Sequence, residues 1–260
     1  MLSYQHIYHA GNLADVHKHA LLAAMLGYLT RKDKPLSYLE THAGRGLYAL
    51  DAAEALKTGE AAAGIGRAEA LFPPDHPYLR VLADVRARYG ASAYPGSPLV
   101  AAMSLRPGDR MHLADLHPQE FAALKATIGP YGADCRQEDG ARFALARTPP
   151  DPRRGLMLID PSYEVKADYA ALPPLIGNIH AKWNVGVIVL WYPILARAAH
   201  LPMLAELDRM ALPKALRHEV RFPPAKEDHG MTGSGLFIVN APFGTAEAAD
   251  QLSGIFSGLS

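Results

Sequence analysis

The segment Gly155-Leu156-Met157-Leu158-Ile159-Asp160-Pro161-Ser162-Tyr163 constrains this chain most. A run of four large apolar residues, too short for a helix and stopped by Asp-Pro, reads as a buried parallel strand. In open α/β sheets the carboxyl ends of such strands are where ligands bind. This strand brings a carboxylate, a proline-stiffened turn and an aromatic ring to that edge. A carboxylate and a carbonyl beside a flat ring suit a planar substrate with an exocyclic amine, such as adenine.

The rest of the chain supplies a sheet for that strand. A helix starts near Asn12 or Asp15, presents Val16, Ala20, Ala23 and Ala24 as an apolar face, and stops at Asp33-Lys34-Pro35. Leu36–Glu40 reads as the first strand and Arg110–Asp115 as the next. A βαβ unit needs only about 30 residues, so the interval is too long for one crossover helix. An Ala-rich helical insertion with little β pattern, over about residues 47–97, fills it. Further strands at Ala133–Gln137, Leu156–Asp160 and Val185–Trp191 alternate with helices. Leu216–Phe222 and Gly235–Asn240 form a closing antiparallel hairpin. The alternation predicts one α/β domain over 1–260, with a mostly parallel sheet and helices on both faces.

Composition narrows the function. Lys+Arg and Asp+Glu both number 26, giving zero formal net charge. Phosphate contacts dominate nucleic-acid affinity, so the balance speaks against a general nucleic-acid coat. No apolar run approaches the roughly 18 residues of a membrane span, and MLSYQHIYHAGN lacks the layout of a signal peptide. The lone Cys135 rules out an intrachain disulfide and suits the cytoplasm.

Four strand tips carry acids. Glu40-Thr41-His42-Ala43-Gly44-Arg45-Gly46 has two glycines that let the backbone turn tightly and approach a ligand. It is no P-loop, because no Gly-Lys-Ser/Thr follows. Asp115 ends the second strand, where acids bind ribose hydroxyls in nucleoside sites; a helix cap at Leu116-His117-Pro118 is the other reading. Glu138-Asp139-Gly140 follows the third strand and Asp160-Pro161-Ser162-Tyr163 the fourth. In series they favour a nucleoside-shaped ligand across the tips over four separate turns. At the fourth, the Asp160 carboxylate and Pro161 carbonyl are placed to accept hydrogen bonds from an adenine amino group. Tyr163 is placed to stack on the base, which is worth on the order of 1–3 kcal/mol.

His6, His9, His17 and His19 crowd the N-terminus, but His17 and His19 are two apart on a helix and face different ways, unlike helical zinc pairs. No metal is expected. Tyr4, His6, Lys18 and His19 instead line an RNA-facing or cofactor-facing surface. Trp191 either walls the pocket or packs in the core. Arg153 and Arg154 read as a solvated pair.

Together, HAGNLADVHKH, LETHAGRG, YPGSPL, LADLHP, Asp139-Gly140, LIDPSYE, LWYP and GMTGSG resemble, in order, the RlmJ family, bacterial 23S ribosomal RNA (adenine-N6)-methyltransferases that use S-adenosylmethionine. The resemblance implies a Rossmann-like methyltransferase fold with a small helical insertion. It implies cofactor contacts at Lys18, His19, His42, Ser97, Asp115, Asp139, Gly140 and Asp160; with the cofactor across the strand tips, His42 and Gly44 would approach its methionine part. Asp160 would be catalytic, with Pro161 and Tyr163 beside it, and Tyr4 would touch the RNA. Asp115 stands where the family usually has Glu. Ser162 replaces the second proline of Asp-Pro-Pro-Tyr, which loosens the turn that carries Tyr163. A monomer is expected.

Two rival readings remain at this level. One is a same-fold methyltransferase acting on DNA adenine or a protein glutamine, since similar turns serve those amides and amines. The other is a non-catalytic nucleotide- or RNA-binding module.

Overall fold

The computed structural model describes residues 5–223 and 230–259. Tyr4 lies outside the described residues. Seven strands form one sheet: β1 (Ser37–Glu40), β4 (Arg110–Ala114), β5 (Asp134–Arg136), β6 (Gly155–Ile159), β7 (Val187–Leu195), β8 (Leu216–Arg221) and β9 (Met231–Val239). Their order is β5-β4-β1-β6-β7-β9-β8. The first five run parallel, and β9 is antiparallel to both β7 and β8. Chain order reverses on either side of β1, which opens a crevice at the carboxyl ends of β1 and β6.

Alternation along the strands divides the core in two. Leu156 and Leu158, Val187 and Val189, and Leu236 and Ile238 face one side of the sheet. Met157 and Ile159, Ile188 and Leu190, and Phe237 and Val239 face the other. The first face is covered by α1 (Leu13–Leu29), α5 (Pro77–Tyr89), α6 (Ser97–Ser104), α7 (Pro118–Ile128) and α11 (Thr245–Ser257). The second is covered by α8 (Gly140–Arg147), α9 (Asp168–Lys182) and α10 (Leu201–Arg209). With both faces buried, a strand must be apolar at every position. That is why β6 reads as an unbroken hydrophobic run.

Helix α1 is buried almost all the way round, not along one face, and Asn12 caps it by accepting from Asp15 N at 2.9 Å. It ends at Leu29, short of the expected Asp33-Lys34-Pro35. Thr30 closes its last turn by donating Oγ1 to Leu26 O at 2.8 Å, Arg154 donates to Leu29 O and Lys34 O, and Arg106 Nη1 holds the chain that follows through Thr30 O and Lys32 O at 2.8 and 2.6 Å. Arg154 is therefore no solvated partner of Arg153. Strand β7 also runs past the expected end at Trp191, through Tyr192-Pro193 to Leu195, because β9 pairs with it there.

Between β1 and α6 lie short helices, α2 (Ala53–Thr58), α3 (Glu60–Ala63) and α4 (Ile65–Ala68), followed by α5. A two-stranded antiparallel ribbon, β2 (Leu47–Ala49) with β3 (Ala93–Pro95), brackets them. The interval is helical apart from this ribbon, which the sequence does not announce. The ribbon is three residues per strand, too short to show a period of two.

Candidate active site

A cleft of about 690 Å³ opens over the carboxyl ends of the strands, bordered by α1 and the short helices. That volume lies within the range of small-molecule sites. Its lining includes Lys18, His19, His42, Gly44, Ser97, Asp115, Asp139, Gly140, Asp160, Pro161 and Tyr163, so the acid-bearing tips do converge.

The loop after β1 is fastened before any ligand arrives. Gly44 has φ +61°, a conformation that favours glycine, and a Cβ there would sit 2.9 Å from the Tyr48 hydroxyl. Gly44 N donates to Asp115 Oδ2 and His117 N to Asp115 Oδ1, both at 2.8 Å. Asp115 therefore organises two backbone turns while still lining the cleft. Burial raises its pKa, against the pull of those two N–H donors. Arg45 grips Glu120 of α7 with two hydrogen bonds, at 2.9 and 2.5 Å. The sequence reading missed that pair.

Glu40 lies wholly buried at the tip of β1. Ser97 Oγ donates to its Oε1 at 2.5 Å and the Tyr38 hydroxyl to its Oε2 at 2.7 Å. Burial pushes its pKa up to about 8, more than those donors pull it down. Ser97 thus borders the cleft with its hydroxyl committed to Glu40. Asp139 caps α8 by accepting from Arg142 N at 2.9 Å. Gly140 follows it, and a Cβ there would stand 2.7 Å from Thr41 O and 2.8 Å from His42 Cε1. Only bare backbone fits. His42 bonds Thr41 Oγ1 through Nδ1 at 2.7 Å, and burial lowers its pKa.

At the tip of β6, Lys18 Nζ donates to Asp160 Oδ2 at 2.6 Å and lies 3.2 Å from Asp15 Oδ1. Among the described residues nothing donates to Asp160 Oδ1. Burial works against the Lys18 charge, but Asp160 and then Asp15 overcome it and raise its pKa. Asp15 is buried too, and His6, Lys18 and His19 hold its pKa well below the ordinary value despite desolvation. His6 Nε2 bonds Asp15 Oδ2 at 2.8 Å, and His19 Nδ1 bonds the Tyr94 hydroxyl at 3.1 Å. Desolvation drives the His19 pKa down to about 3. Lys18 and His19 therefore border the cleft chiefly as parts of a buried polar network.

Tyr163 takes φ +56°, is only 9% exposed, and donates its hydroxyl to Trp191 O at 2.7 Å. Its ring centroid is 4.6 Å from that of Tyr169. Contacts with β7 and α9 thus supply the rigidity that Ser162 withholds.

A family model described as ribosomal RNA large subunit methyltransferase D, RlmJ, matches residues 33–256. The chain belongs to this family. Ribosomal RNA large subunit methyltransferase J of Escherichia coli (strain K12) is 38% identical over 247 residues, covering 94% of this chain and 88% of that protein. Its namesake in Haemophilus influenzae is 37% identical over 250 residues, with the same coverages. Among solved structures, protein LPL1258 from Legionella pneumophila superposes with a TM-score of 0.86 at 35% identity, covering 96% of this chain and 94% of that one. As a member of the RlmJ family the chain is a ribosomal RNA methyltransferase, and its methyl donor is S-adenosylmethionine. The cleft fits that cofactor: it is large enough, its floor at Gly140 is bare backbone, and the Asp115 carboxylate borders it.

Proposed function

We propose that the protein methylates the exocyclic N6 of an adenine in 23S ribosomal RNA. The observation that carries this is the half-occupied carboxylate of Asp160, which lines the cleft: Lys18 pins Oδ2 at 2.6 Å, while among the described residues nothing donates to Oδ1. An adenine amino nitrogen is a weak nucleophile because its lone pair is delocalised into the ring. Asp160 Oδ1 and the Pro161 carbonyl would accept its two hydrogens, turning the lone pair towards the methyl donor. S-adenosylmethionine supplies the methyl group as an electrophilic sulfonium. Asp115 would accept a hydrogen bond from the cofactor's ribose, His42 and Gly44 would border its methionine part, and Asp139-Gly140 its adenine. Lys18, His19 and Ser97 would shape the walls through Asp160, Asp15 and Glu40, and Tyr163 would pack beside the target base. Tyr4 is proposed to touch the RNA. The chain acts in the cytoplasm in this reading, where ribosomal RNA is available. Removing a base from its stack costs a few kcal/mol, which aromatic walls offset.

The test is nucleoside mass spectrometry of large-subunit RNA after incubation with enzyme and S-adenosylmethionine. N6-methyladenosine should accumulate with the wild type and be absent with Asp160→Ala, which should still bind the cofactor. Full activity in Asp160→Ala, or a methyl group on another nucleoside, would refute the reading.

A further inference from the structure

Trp191 has no role in the reading above, yet its surroundings are more specified than a wall needs. Ile159 of β6 pairs with Leu190 of β7, so Asp160 and Trp191 come next on adjacent parallel strands. Neighbours at one register position point to the same face of a sheet. The indole therefore lies beside the carboxylate, partly exposed and lining the cleft. Lys18 Nζ touches both: 2.6 Å from Asp160 Oδ2 and 5.5 Å over the indole. Tyr163, in contrast, is nearly covered, with Tyr169 against it. Among the described residues, Trp191 presents a partly exposed aromatic ring next to this carboxylate.

A hydrogen-bond chain fixes the indole. Trp191 Nε1 donates to Ser234 Oγ at 2.9 Å, and indole nitrogen can only donate. The Ser234 proton then has one described partner, His17 Nδ1, at 2.9 Å. That leaves His17 protonated on Nε2, which donates to His218 Nδ1 at 2.9 Å. His218 in turn donates from Nε2 to Ser253 Oγ at 2.9 Å. Every proton of the chain from Trp191 to His218 is used in this polarity. It crosses from β7 through β9, α1 and β8 to α11, and Ser234 and His17 are fully buried. Buried polar groups linked end to end specify one geometry. His17 is also the residue before Lys18, so the same chain sets where Lys18 points.

We propose that the Trp191 indole is a substrate-binding surface against which the target base rests, with Ser234, His17, His218 and Ser253 as positioning residues that hold its plane. The proposal rests on the adenine reading above. Stacking of a base on an aromatic ring is worth about 1–3 kcal/mol, which converts to roughly a five- to hundredfold effect.

The experiment measures methylation kinetics on deproteinised large-subunit RNA, together with cofactor affinity and thermal stability. Trp191→Ala should raise the RNA KM about tenfold or more at unchanged cofactor affinity. Trp191→Phe keeps a ring but loses the N–H, and should fall with Ser234→Ala between Trp191→Ala and the wild type. Ser234→Ala should raise KM at nearly constant kcat, with Ser234→Thr restoring it. RNA should quench tryptophan fluorescence in the wild type and not in Trp191→Phe. An RNA KM unchanged in a folded Trp191→Ala, or equal quenching in Trp191→Phe, overturns the proposal. Absence of adenine methylation by the wild-type enzyme would overturn the adenine reading instead.

Discussion

Lys18 Nζ on α1 and Asp160 Oδ2 at the tip of β6 stand 2.6 Å apart, joined across 142 positions of sequence. The ammonium also lies 3.2 Å from Asp15 Oδ1, so one buried cation serves a buried carboxylate and one at the edge of the cleft. Removing one partner of a buried pair leaves a charge without compensation, which costs about 3–5 kcal/mol. Lys18→Met should therefore lower stability by about that amount and reduce methylation by on the order of a hundredfold or more. Denaturant melts and single-turnover rates check both. A folded Lys18→Met enzyme with wild-type turnover would mean that Asp160 needs no holding.

Gly140 tests whether backbone lines the cofactor's place. A Cβ at this position would stand 2.7 Å from Thr41 O, a backbone atom that cannot swing away. Overpacking of this kind costs about 1–3 kcal/mol. Gly140→Ala should weaken S-adenosylmethionine binding about tenfold or more, read by calorimetric titration. Unchanged affinity would place the cofactor elsewhere in the cleft.

Glu40 gives an alkaline pH dependence. Its folded pKa, about 8, lies above its ordinary value of 4.5, so the folded state holds a proton that the unfolded state has released. The stability it contributes is fully present below about pH 4.5 and is lost as pH rises through 8. Glu40→Gln, which keeps the shape but cannot ionise, should flatten that decline when urea midpoints are compared at pH 6 and pH 9. An equal decline in both proteins would show that other groups cause it.

How much of this was legible in the sequence follows from range. The strand tips at Glu40, Asp115, Asp139 and Asp160 were readable because apolar runs and turn residues are local signals. Their convergence followed from the parallel order. The role of Lys18 was not readable, since nothing near residue 18 announces a partner at 160. The same holds for Ser234, His17 and His218, which look like scattered polar residues until α1, β8 and β9 are packed. The end of α1 was misplaced because Thr30, with Arg154 on Leu29 O, closes its last turn before Asp-Lys-Pro is reached. Tyr163 offered an exposed ring on paper. In the fold, Trp191 O and Tyr169 take it up.

Acid should destabilise the protein through histidines that the fold keeps neutral. Desolvation depresses the pKa of His17, helped by His218, and that of His218 against the pull of Asp250 and Glu219, and it brings His19 down to about 3. For such groups the unfolded chain binds the extra proton. Their contribution to stability is present above the ordinary histidine value of 6.5 and is lost as pH falls below it. Each histidine that stays neutral contributes up to about 1.4 kcal/mol per pH unit in that window. His9, raised by its hydrogen bond to Glu60, and Glu40, raised by burial, act with the opposite sign and offset part of the loss. Urea midpoints should therefore fall steadily from pH 7 to pH 5, and His218→Gln should make the slope shallower. An equal slope in His218→Gln and the wild type would show that His218 does not stay neutral in the folded protein, and the proton order assigned from Trp191 to Ser253 would then be wrong.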